Sequence, residues 1–153
     1  MTKKFDYTSG TLLRTVRRSA SGFAAGFLSV LIFHQTFLTL LHAIAMTSLA
    51  PFQLRPTAPF DIPQIVSLAF WGGIWGIGFA WIEPYLPRGW RYLVSALLIG
   101  AILPTLVAWF VIAPLKGLPI AGGWRAAAIV TGLIVNGAWG IGTALFLIAT
   151  RPR

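Results

Sequence analysis

Apolar residues run along this chain in four long blocks, 22–46, 62–81, 91–113 and 124–149, with almost no charge inside any of them. A helix needs roughly 20 such residues to cross about 30 Å of hydrocarbon at about 1.5 Å per residue. The pattern predicts an all-α membrane protein with four transmembrane helices, forming one integral membrane domain over 1–153 with a basic tail at 1–20. What lies between the blocks is too short for a soluble domain. The first block, about 25 residues long and interrupted by His34 and Gln35, exceeds the roughly 7–15 residues of a signal-peptide core, so it is expected to be retained.

The second and fourth blocks repeat one another. The chain reads GGIWGIGFA over 72–80 and NGAWGIGTA over 136–144, an offset of 64 residues. Ala50-Pro51 and Pro56 recur as Ala113-Pro114 and Pro119 at an offset of 63. Two tandem two-helix hairpins, about 21–84 and 85–149, are therefore expected. Each crosses the membrane twice, so the copies share an orientation, and a pseudo-twofold axis along the membrane normal would relate them. The likeness between the first and third blocks is only general.

Small residues recur every four positions in both repeated blocks: Gly72, Gly76 and Ala80, then Gly132, Asn136, Gly140 and Ala144. Such stripes let helix backbones approach closely, which predicts that the second and fourth helices meet along them. Gly22 and Gly26 form a shorter stripe on the first helix.

Charge orients the chain. Lys3, Lys4, Arg14, Arg17, Arg18, Arg88, Arg91, Arg151 and Arg153 fall on one side, and Arg55, Lys116 and Arg125 on the other. The positive-inside rule then puts both termini and the middle loop in the cytoplasm, in a bacterial inner membrane. The net charge of +9 is thus accounted for by lipid headgroups, and nucleic acid is not an expected partner. Hydrophobic residues at 57% and a mean hydropathy of +0.80 argue against a soluble protein.

Polar residues inside hydrocarbon are costly, which makes His34, Gln35, Thr105 and Asn136 the candidate site. Measured along their helices from the inner edge, His34, Thr105 and Asn136 agree in depth within about 3 Å, so they could share a layer near mid-membrane. Two readings stand: interhelical hydrogen-bond glue, or a site for a proton, an ion or a small ligand with His34 titrating. His42 lies about 12 Å above His34 and is turned away, so the two cannot share a metal, and no haem or other cofactor is expected. Pro104 is expected to bend the third helix. Glu83 reads as a headgroup-level partner for nearby arginines. The outer loops, 47–61 and 114–123, are rich in proline; the first is expected to be non-helical and to lie on the membrane surface. Cysteine is absent, and no carboxylate pair, nucleophile–base set or phosphate-binding glycine loop is present, so enzymatic activity is not expected.

The segments GFLSVLIFHQ at 26–35, SLAFWGGIWG at 67–76 and APLKGLPIAGGW at 113–124 resemble a group of small, uncharacterised bacterial integral membrane proteins. The resemblance covers nearly the whole chain and implies four spans without a known activity. Function is expected to lie in one of two classes. The first is a non-catalytic accessory or assembly subunit that binds partner helices; the second is a small dimeric channel or carrier using the polar layer. Expected partners are the lipid bilayer and other membrane proteins or a second copy.

Overall fold

A computed structural model describes residues 3–58 and 60–151, with side chains from Gly10 onward. The side chains of Lys3 and Lys4, and all of Arg153, lie outside the described residues. Four helices are long and apolar enough to cross a membrane: Gly10–Ala43, Gln64–Tyr85, Trp90–Leu115 and Ala126–Ala149, here called spans 1 to 4.

Span 1 belongs to one continuous helical run made of α1 (Lys3–Ser29), a π-helical turn (Val30–His34) and α2 (Gln35–Ala43). No proline interrupts residues 3–43, so nothing stops the helix at the expected edge of the basic tail. Arg14, Arg17 and Arg18 therefore ride on the N-terminal turns of span 1 itself. Span 2 is α3 (Gln64–Ile82) with a closing 3-10 turn (Glu83–Tyr85). Span 3 is α4 (Trp90–Val107), a second π-helical turn (Ala108–Ile112) and α5 (Ala113–Leu115). The helix runs on through Pro104, which has no N–H to offer the carbonyl of Gly100 one turn earlier.

The loop between spans 1 and 2 folds on itself: β1 (Pro56–Thr57) pairs antiparallel with β2 (Ile62–Pro63), and the Thr57 hydroxyl donates to the Ile62 carbonyl at 2.7 Å. The loop between spans 3 and 4 contains a short turn (Ile120–Trp124) in which Ala121, Gly122, Gly123 and Trp124 all have positive φ, between 49° and 72°. This left-handed turn cannot continue into a right-handed helix. Span 4, which is α6 (Ala126–Ala149), therefore starts two residues later than the apolar pattern predicts.

Span 1 packs along span 2, span 3 packs along span 4, and spans 1 and 4 join the two hairpins. The seam expected between spans 2 and 4 is replaced by two seams, one inside each hairpin. A Cβ placed on Gly22 would lie 2.6 Å from the Gly76 carbonyl oxygen, and one on Gly26 would lie 2.9 Å from the Gly76 Cα. In the second hairpin a Cβ on Gly100 would lie 2.6 Å from the Asn136 carbonyl oxygen and 2.7 Å from the Gly140 Cα. Each stripe thus meets small residues on the other helix of its own hairpin. Lipid tails are as apolar as leucine, so close backbone contact, rather than burial, selects the partner. Ala80 and Ala144 are wholly buried beside these seams, whereas Gly132 sits more loosely: a Cβ on it would lie 3.5 Å from Thr105 and Trp109 atoms. Spans 2 and 3 meet near their joining loop, where the Phe79 ring meets Tyr92 edge-on, and lack comparable packing beyond it.

Candidate functional site

The four polar residues singled out above are brought into two pairs. His34, Gln35 and Thr105 are buried, and Asn136 is half-buried. Between spans 3 and 4 the Asn136 amide donates to the Thr105 hydroxyl at 2.8 Å, and that hydroxyl donates to the Gly132 carbonyl at 3.3 Å. On span 1, Gln35 works in two directions. Its Oε1 accepts the Phe52 N–H at 2.7 Å, and its Nε2 lies 3.3 Å from His34 Nδ1. A backbone N–H only donates, so the atom facing Phe52 is oxygen and the amide nitrogen faces the imidazole. His34 Nδ1 is then an acceptor, and the ring proton sits on Nε2. Among the described residues no hydrogen bond joins the two pairs. Gln35 belongs to the anchoring of the loop between spans 1 and 2, which no spacing rule on a single helix would have exposed.

A third polar group, which sequence reasoning missed, lies between the hairpins. The Ser29 hydroxyl donates to the Trp139 carbonyl at 2.6 Å, and the Trp139 indole donates to the Gly26 carbonyl at 2.9 Å. Ser29, Trp139 and Thr143 are all buried. Thr143 donates to the same Trp139 carbonyl at 2.9 Å. The available signal was a serine and a tryptophan standing inside apolar blocks.

Charge gathers where the N-terminal turns of span 1 meet the C-terminal ends of spans 2 and 4. Arg151 reaches Glu83 Oε1 with Nη2 at 2.7 Å and Nε at 3.2 Å, and the Tyr92 hydroxyl donates to the same oxygen at 3.1 Å. The bonds to Glu83 raise the Arg151 pKa above its usual value. Arg18 donates from Nε to the Ala80 carbonyl at 2.8 Å and lies over the Trp81 ring. Among the described residues, no three His, Asp or Glu side chains come together as metal ligands would. His42 stays at the C-terminal end of span 1, near the Thr47 carbonyl at 3.2 Å.

No protein-family model, curated protein or solved structure matches this chain. The geometry of its own residues is what bears on function.

Proposed function

We propose that this chain is a non-catalytic accessory subunit of a bacterial-type inner membrane, one that holds a partner's transmembrane helix against span 2. Nine basic residues on the inner side against three on the outer support an orientation with both termini and the 86–89 loop in the cytoplasm.

A hairpin used twice underlies the reading. Gly72 and Gly76 correspond to Asn136 and Gly140 at an offset of 64, while Gly22 and Gly26 correspond to Ala96 and Gly100 at an offset of 74. The first outer loop, 44–63, is ten residues longer than the second, 116–125, which accounts for the difference between the offsets. Corresponding residues make corresponding close approaches, as a duplicated hairpin requires. A pseudo-twofold axis along the membrane normal would further require span 2 to meet span 3 as span 4 meets span 1.

The carrying observation is a face that is filled in one copy and open in the other. On span 4, Val135, Ala138 and Gly142 are buried, and a Cβ on Gly142 would run into Ser29 and Phe33 of span 1. The corresponding residues of span 2 are Trp71, Ile74 and Gly78. Trp71 and Ile74 are 58% and 41% exposed, and a Cβ on Gly78 would meet nothing within 4 Å. Within this chain such a face receives a helix, so a partner helix with a bulky apolar side chain at the Gly78 notch is the matching occupant. The carrier reading has less support, because Gln35, Asn136 and Thr105 spend their polar atoms on loop and helix contacts.

A photoreactive residue at position 78, irradiated in native membranes, tests the reading. A discrete protein adduct at 78, absent with the probe at Leu98 on the far side of span 3, is expected. Equal labelling at both positions, or lipid adducts alone, would overturn it.

A further inference from the structure

The inner end of the bundle holds a cavity of about 390 Å³ between the inner turns of span 1 and the inner ends of spans 2 and 4. Among the described residues its walls carry Arg14, Arg17, Arg18 and Arg151, with Glu83 as the one acid and Ser21 and Thr150 as hydroxyls. Positions 14, 17 and 18 are spaced three and four residues apart, so one face of α1 presents all three guanidinium groups. Two of the four arginines are already engaged by the protein: Arg151 by Glu83, and Arg18 by the Ala80 carbonyl. Arg14 and Arg17 have no partner among the described side chains.

Four cations around one carboxylate leave the cavity with an uncompensated positive charge, which attracts an anion. Guanidinium forks and hydroxyls match the oxygens of a phosphate. The geometry points to a binding site for a phosphate-bearing anion in this cavity, held by Arg14 and Arg17 with Ser21 beside them. Arg18 and Arg151 are fixed as the walls. The cavity lies at the ends of helices long and apolar enough to cross a membrane, so an anionic phospholipid of the inner leaflet is the favoured source. The site rests on the four-span arrangement and is independent of the partner-helix reading.

Thermal unfolding of the full chain in phosphatidylcholine micelles tests the site, with phosphatidylglycerol or inorganic phosphate added as the probe. Phosphatidylglycerol should raise the melting temperature in a saturable way. A matching rise with inorganic phosphate would assign the site to the free anion, and no rise with it would assign the site to the lipid. Changing both Arg14→Gln and Arg17→Gln should weaken the apparent affinity by about tenfold or more, as expected for losing charge-assisted hydrogen bonds. The pair Arg88→Gln and Arg91→Gln removes the same charge from outside the cavity walls and should leave the affinity unchanged. Circular dichroism and the melting temperature without probe establish that each variant is folded. Equal loss in both pairs would reduce the effect to general surface charge and overturn the site, as would no response to either probe.

Discussion

The indole of Trp139 donates to the backbone carbonyl of Gly26 at 2.9 Å, and this bond crosses from the second hairpin to the first. It is answered by Ser29, three residues further along span 1, which donates to the Trp139 carbonyl. Trp139→Phe keeps most of the ring but removes the donor. The expected loss is about 1 kcal/mol, near the usual worth of an interhelical hydrogen bond in a membrane. Ser29→Ala should cost a similar amount. Detergent-titrated unfolding of the two single variants and the double variant would give a coupling energy, and strict additivity would show that the two bonds act independently.

The glycines divide by what surrounds them. Gly76→Leu and Gly140→Leu would drive side chains into the facing backbone, and each should cost about 2 kcal/mol or more, with the separation of spans 1 and 2 or of spans 3 and 4 visible by cross-linking. Gly78→Leu enters open space and should leave the melting temperature of the isolated chain nearly unchanged. On the accessory-subunit reading it should still abolish co-isolation of the partner. A folded Gly78→Leu variant that keeps its partner would count against that reading.

Much of this arrangement was legible in the sequence. The length of each apolar block marked a span, because hydrocarbon thickness is a fixed ruler. The stripes at Gly72 and Gly140 announced close helix packing, yet a stripe says only that a helix can be approached, not by which neighbour. Ala96 and Gly100 complete the second seam, but an alanine and a glycine four apart in a leucine-rich block do not stand out. Gln35 read as a mid-membrane group because its loop partner, the Phe52 N–H, is a backbone atom 17 residues away. The arginines at 14, 17 and 18 were visible as charge. Their cavity was not, since it exists only where the ends of three helices meet.

Gln35→Leu should release the first outer loop. The Phe52 N–H would lose its acceptor, at a cost of about 1–3 kcal/mol for a polar group left unpaired out of water. Hydrogen exchange across residues 47–61 should rise, while spans 3 and 4 stay protected. His34→Leu and Asn136→Leu should leave the protein folded and leave cells unchanged under ion or pH stress. A stress defect with folding intact would revive the carrier reading.

Left-handed backbone sets the start of span 4. Gly122 has φ +63°, and an added Cβ would lie 2.5 Å from the Ala128 Cβ. Gly122→Ala should therefore cost about 1–2 kcal/mol from backbone strain alone, with the steric overlap added to it. Thermal melts of this variant beside Gly117→Ala, which shares a positive φ but meets nothing within 4 Å, would separate the two contributions.

The ion pair between Arg151 and Glu83 is half exposed on the arginine side, so its stabilising effect is expected at about 0.2–1 kcal/mol and falls with added salt. Because the Arg151 pKa is raised on folding, its contribution is complete below the unfolded pKa and is lost only as pH rises through the folded one. Across the neutral range, Arg151 should therefore add no pH dependence. An Arg151→Gln melt compared with the parent at several neutral pH values, showing a constant difference, would agree.

The proposed orientation puts both ends of the four crossings on the cytoplasmic side. The chain has no cysteine, so single cysteines can be placed at Ala58 in the first outer loop and at Arg88 in the 86–89 loop. Membrane-impermeant maleimide added to intact spheroplasts should label Ala58→Cys at once and Arg88→Cys only after lysis. Labelling of Arg88→Cys in unbroken spheroplasts, with Ala58→Cys protected, would contradict the orientation and place the arginine cavity on the wrong face of the membrane.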